Sequence, residues 1–280
     1  MNSKITSTIA KEEGGDIQIT LTIPQDLITS TKKEVVDELA KDITVPGFRK
    51  GTAPLTKVEE KISPETLREH VLSHILPKAF SDAVTKEKIN PAIYPKFEAI
   101  NIEEGKDWQI RAITCELPKI TLGDYKKKIA GEVRAKSIVV PGKEITKEEK
   151  ESNLIQAVIN SIKITIPKIL IEEEVNGRLS QLLERIEKLG LSLEGYLKSV
   201  DKTPEKIREE YGIQAKDAIS LELILNEIAN EEKIEVKESD IDEFIKSTGS
   251  DPTKVEKDQR NSLRRVILRR SALDKLATLV

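Results

Sequence analysis

The sequence predicts an α+β protein: an N-terminal domain of strands and helices, followed by an extended all-α domain. Three observations carry that expectation. Apolar and polar residues alternate with the two-residue period of a strand from Ile17 to Ile23. Helix-start signals crowd the chain from Thr146 onward. Charged residues make up 34% of the chain and aromatics only 3%, a balance that suits long solvated helices.

The 280 residues are enough for two domains, each with its own core. Ile5 to Ile9 and Ile17 to Ile23 flank Glu12-Glu13-Gly14-Gly15-Asp16 and read as a hairpin turning at Gly14-Gly15. Pro24 opens a helix through about Lys41, and Leu55 to Ile62 is a second, short one. Ser63-Pro64-Glu65 is a strong start signal for a helix reaching about Lys88, which Pro77 should kink or break. Phe97 to Ile102 and Trp108 to Leu117 supply two further strands, the second with no clean choice of buried face. This domain is expected at residues 1–118.

Residues 119–145 read as an extended linker, because Gly123, Gly131, Pro141 and Gly142 interrupt a lysine-rich run, with one strand-like stretch at Ser137 to Val140. From there the signals are helical, and the second domain is expected at residues 146–280. Thr146 with Glu149 forms a capping box. Pro167, Ser192 and Thr203-Pro204 open further helices, and Ser239 and Asp251-Pro252 open the last two.

Charge and cysteine usage narrow the function. The net charge of −3, from 46 basic and 49 acidic residues, argues against a general nucleic-acid coat, so any contact with RNA must be local. Cys115 is the sole cysteine, which excludes an internal disulfide and fits a reducing compartment. The N-terminal residues lack the apolar core of a signal peptide, and no apolar run approaches the roughly 20 residues that span a bilayer.

One loop stands out. Val45 to Pro54 holds two prolines and two glycines, and at its centre Phe48-Arg49-Lys50 lies between Gly47 and Gly51. From Ile43 to Lys57 the cations are Arg49, Lys50 and Lys57, with no acid. An apolar ring beside an arginine at a loop tip has the composition of an interface hot spot; the plainer alternative is a turn whose phenylalanine folds back onto its own domain. No catalytic set competes with it. His70 and His74 have helical metal-ligand spacing but lack the glutamate that the zinc-protease pattern requires after the first histidine. Cys115 reads as a structural thiol, and no glycine-rich phosphate loop follows a strand. Arg260, Arg264, Arg265, Arg269 and Arg270 read as a solvated, snorkelling helix face rather than an anion-binding patch.

Gly47-Phe48-Arg49-Lys50-Gly51 with Pro54 resembles the ribosome-docking signature of trigger factor, the bacterial chaperone of the ribosomal exit tunnel. Glu87-Lys88-Ile89-Asn90-Pro91 agrees with that family, and the helical half resembles its C-terminal domain at Ile162 to Leu179 and at Arg208 to Asp240. A complete member carries a peptidyl-prolyl isomerase domain between these regions. Here only residues 119–147 intervene, so a shortened form without catalysis is expected. The resemblance implies an ATP-independent, cytoplasmic chaperone without cofactor or metal, docking through Gly47, Phe48, Arg49, Lys50 and Gly51. Its implied partners are the ribosome (exit-tunnel protein and rRNA) and unfolded or nascent polypeptides. No membrane is implied, and a homodimer off the ribosome is left open. Ile171, Val175, Leu179, Leu183, Leu221 and Leu225 are the expected client-binding residues. The alternatives are an active peptidyl-prolyl isomerase and a ribosome-bound scaffold without client binding.

Overall fold

The computed structural model describes residues 4–136 and 146–278, which fall into two units. The first comprises Met1–Leu117 together with Pro167–Leu170, and the second comprises Pro118–Ile166 and Ile171–Val280.

In the first unit, β1 (Thr6–Lys11) and β2 (Asp16–Ile23) form an antiparallel hairpin closed between Glu12 and Asp16. With β3 (Lys96–Asn101) and β4 (Trp108–Cys115) they make an antiparallel sheet in the order β1-β2-β4-β3. Alternate side chains of a strand leave opposite faces, so Ile17, Ile19, Leu21 and Ile23 all enter one side. The register sets Thr114, Ala112, Ile110 and Trp108 beside them, which resolves the face of β4 that its sequence left ambiguous. Thr114 tolerates full burial because its hydroxyl donates to the Ile93 carbonyl at 3.0 Å.

Helices α1 (Gln25–Ala40) and α3 (Pro64–Lys86) complete this aliphatic core with Ile28, Val35 and Val36, and with Leu67, Val71, Ile75 and Phe80. The Ser63 hydroxyl caps α3 by accepting the Thr66 N–H at 3.1 Å. The helix runs unbroken through Pro77, so of the expected kink or break the break does not occur. Both Pro77 and Ser73, whose carbonyl loses its helical partner, lie on the solvent side, where water satisfies what the ring removes. The short α2 (Leu55–Glu59) is pinned by the fully buried Val58 and by a Lys32–Glu59 ion pair at 2.7 Å.

The second unit begins earlier than the sequence suggested. Where an extended linker was expected at 119–145, α4 spans Tyr125–Lys136, and Tyr125 and Ile129 are buried. Tyr125, Ile129 and Val133 recur every four residues and build one apolar face, which outweighs the glycine and lysine signals of a linker. Gly131 lies on the exposed side of that helix. The strand-like stretch at Ser137 to Val140 lies outside the described residues.

α4 shares a core with α5 (Lys147–Ser161), α8 (Pro204–Glu231) and α10 (Lys257–Ala277), joined by Leu154, Val158, Ile224, Ile228, Leu273 and Leu276. α6 (Lys168–Lys188) and α7 (Leu193–Ser199) precede α8, and α9 (Glu238–Ser247) precedes α10. Asp251-Pro252 starts only a single 3-10 turn, and α10 begins after it.

One carboxylate ties three of these helices together. Glu232, just past the end of α8, accepts from the Tyr125 hydroxyl at 2.6 Å and from Lys126 of α4 at 2.5 Å. Lys275 of α10 lies 2.6 Å from its second oxygen. Hydrogen bonds from Lys126, then Lys275, then Tyr125 lower the Glu232 pKa to about 2. A depressed carboxylate pKa contributes stability at neutral pH that is lost as pH falls through the interval from about 4.5 to about 2. Glu232→Gln should therefore lower stability measured by urea unfolding at pH 7, and the deficit should shrink towards pH 2. A deficit that stays constant over that interval would contradict the ionic tie.

Candidate functional site

The loop between α1 and α2 is built from two successive tight turns. The Phe48 N–H donates to the Val45 carbonyl at 3.1 Å, and the Thr52 N–H donates to the Arg49 carbonyl at 3.0 Å. In each turn the third position is a glycine with positive φ, +86° at Gly47 and +80° at Gly51. A turn of this kind needs a residue free of a Cβ there, which is why the two glycines stand four apart. The Thr52 hydroxyl donates to the same Arg49 carbonyl at 2.7 Å, and Val45 buries its side chain in the first core. The loop is thus anchored at its entry and braced at its exit.

Phe48 and Arg49 sit between the two turns. Phe48 is 44% exposed, so its ring does not fold back onto the domain. Lys50 pairs with Asp42 at 3.0 Å, and Lys57 pairs with Glu60 at 2.7 Å. Arg49 makes no ion pair among the described residues, which leaves it the available cation of the three. Both ion pairs are solvated and weak enough for Lys50 to exchange its partner.

The apolar residues expected to meet clients divide. Val175 and Leu225 are only 3% and 4% exposed, so neither offers a surface. Leu225 belongs to the core that α8 shares with α4, α5 and α10, which is why it is unavailable. Ile171, Leu179 and Leu221 are half-buried, and Leu183 is 43% exposed. The most exposed leucine of the helical unit is one the sequence reading did not assign to clients. Leu189 is 67% exposed, and Leu191, Leu193 and Val200 join it around the junction of α6 and α7. The signal was present, since leucines alternate with Gly190 and Ser192 outside any periodic helix face. Between α9 and α10, Phe244, Val255, Leu263 and Val266 line an open apolar groove of about 550 Å³.

Four of the five arginines of α10 pair with acids of other helices, and Arg265 donates to the Ser262 hydroxyl of its own helix. Arg260 pairs with Glu238 and Asp242 of α9, Arg264 with Glu238, Arg269 with Glu222 of α8, and Arg270 with Glu151 of α5. His74 lies 3.4 Å from Glu38, and among the described residues no group of three His, Cys, Asp or Glu could hold a metal. Burial, reinforced by Asp16, pushes the Cys115 thiol up to about 11, so it stays protonated and unreactive at neutral pH. No helix of the described residues is long and apolar enough to cross a membrane.

An α+β unit that projects a braced aromatic–cation loop is joined in one chain to a helical unit with exposed leucines. Comparison with known proteins identifies the family. Residues 5–152 match the family described as bacterial trigger factor protein, and residues 121–278 match the C-terminus of the same family. The chain belongs to the trigger factor family. Its relatives include the trigger factor of Streptococcus mutans serotype c, 34% identical over 141 residues that make up 50% of this chain and 33% of that protein. The trigger factor of Streptococcus uberis is 37% identical over 136 residues, 49% of this chain and 30% of that protein. The chain therefore spans about a third of the length of these curated relatives. A solved structure concerned with promiscuous substrate recognition in the folding and assembly activities of the trigger factor chaperone shares the fold. Its TM-score is 0.63, at 14% identity, over 98% of this chain and 99% of that one.

The division between core and surface leucines is directly measurable. Leu225→Ala should lower unfolding free energy by about 2–5 kcal/mol, as large-to-small changes in a packed core do. Leu189→Ser should stay within about 0.5 kcal/mol, as surface changes do. Comparable losses for the two variants in chemical denaturation would show that the helical unit is packed differently.

Proposed function

We propose that this protein is an ATP-independent chaperone of the cytoplasm that docks beside the ribosomal exit tunnel and shields apolar segments of nascent chains. The observation that carries the reading is the half-exposed Phe48 beside the unpaired Arg49, fixed between Gly47 and Gly51. A rigid loop loses little conformational freedom on docking, so more of each contact survives as affinity. Phe48 would fill an apolar pocket, contributing about 1.5–3 kcal/mol if fully buried. Arg49 would meet rRNA phosphate or acidic ribosomal protein side chains, with Lys50 leaving Asp42 to join it.

Client shielding would fall to Leu183, Leu189, Leu191 and Leu193, with Ile171, Leu179 and Leu221 as partly covered contributors. Each offers a small apolar contact, so single sites are weak and several in a row give avidity along an unfolded chain. Release needs no nucleotide, because a client that folds withdraws its own apolar surface. The family matches overlap over residues 121–152, which leaves no interval for an isomerase domain between them and supports a non-catalytic role. A homodimer away from the ribosome remains part of the proposal.

Replacing Phe48, Arg49 and Lys50 together by Ala should abolish co-sedimentation with ribosomes while circular dichroism stays unchanged. Among single variants, Phe48→Ala and Arg49→Ala should weaken binding more than Lys50→Ala, because Lys50 is already paired. Binding by the triple variant at wild-type strength would remove the docking assignment. Changing Leu189, Leu191 and Leu193 to Ser should impair suppression of client aggregation without lowering the melting temperature. Full suppression by that variant would shift the client surface elsewhere.

A further inference from the structure

The groove between α9 and α10 has no part in the client surface proposed above. Phe244, Ile245, Val255, Leu263 and Val266 line its volume of about 550 Å³. Phe244 is 38% exposed and Val266 45%, so two of its large apolar side chains remain in water.

α10 adds two charges to this face. Asp258 stands in the wall of the groove, with Ser262 one turn further on. Seven residues turn a helix to within about 20° of two full revolutions, so Arg265 lies on the line of Asp258, about 10 Å along the axis. Arg265 is exposed and donates only to the Ser262 hydroxyl, at 3.3 Å. Asp258 is exposed as well, and neither charge has an ionic partner among the described residues. The other four arginines of the helix, Arg260, Arg264, Arg269 and Arg270, all pair with acids.

An anion and a cation two turns apart, beside a stripe of apolar side chains, form a self-complementary patch. A second α10 laid antiparallel, with a two-fold axis close to Ser262, sets Asp258 of each copy opposite the partner's Arg265. A two-fold contact repeats each interaction, so both charges are matched at both ends. The same operation faces the two grooves, and Phe244 and Val266 of each copy are covered by the lining of the other. A parallel arrangement would instead oppose like charges. An unfolded client has no fixed order of charges, whereas a second copy supplies this one by construction.

We infer that the α9–α10 face binds a second copy of this chain, α10 against α10 in antiparallel order, with Asp258 of each copy paired to the partner's Arg265. The inference rests on the homodimer of the proposed function and names its contact face. One groove per copy makes a small interface, so the dimer dissociates on dilution.

Sedimentation velocity of the full chain over about a hundredfold range of concentration should show a reversible rise from monomer to dimer mass. Asp258→Arg and Arg265→Asp each oppose like charges at both ends, and each should weaken association at least about tenfold. An equal mixture of the two variants should regain wild-type association, because opposite charges then meet at both ends of the heterodimer. Phe244→Ser changes no charge and should weaken association too, which keeps the test open should a charge variant misfold. A wild type that stays monomeric throughout would overturn the homodimer itself and leave the groove to an unfolded client. A dimer that persists undiminished in both charge variants or in Phe244→Ser would leave the homodimer standing and overturn this face. A mixture that fails to regain association would overturn the antiparallel pairing.

Discussion

The burial of one strand face governs the first unit and everything it presents. Ile17, Ile19, Leu21 and Ile23 must leave water together, because a strand sends alternate residues to one side. α1 and α3 meet that requirement, and their placement fixes where α1 ends and where α2 and α3 begin. The chain between Ala40 and Leu55 then has a set span to cross, with Val45 anchored in the same core. Two glycine-centred turns cross it, leaving Phe48 and Arg49 on the outside. The exposed pair is thus a consequence of packing below it.

The second unit closes its core with Tyr125 as the one aromatic among its described core residues. Aliphatic faces of α4, α5, α8 and α10 close its core, while ion pairs from the α10 arginines and from Glu232 stitch the outside. α7 contributes no buried residue, and the leucines at its start and at the end of α6 find no covering layer. These leucines are the surface to which the proposed client shielding is assigned.

Much of this was legible because it is local. The Gly14-Gly15 hairpin, the Ser63-Pro64 helix start and the Thr146–Glu149 capping box each depend on a few neighbouring residues, and each forms where expected. The two-turn geometry of the Val45–Pro54 loop was legible through its glycine spacing. α4 was not, since glycine and lysine masked the fourfold spacing of Tyr125, Ile129 and Val133. Val175 and Leu225 could not be separated from Leu183 by sequence, because apolar residues surround more than one side of these helices. For Leu225 the buried side is set by α4, α5 and α10, elements distant in the chain.

The central claim is that the Phe48–Arg49 tip, rather than exposed apolar surface in general, meets the ribosome. Tyr94 is the natural control, being 75% exposed in the same unit yet outside the loop. A photo-crosslinking phenylalanine derivative would be placed at position 48 in one sample and at position 94 in another. Each would then be irradiated with purified ribosomes. Position 48 should give discrete crosslinks to ribosomal components, and position 94 none. Equal crosslinking from the two positions, or none from position 48, would contradict docking through this loop.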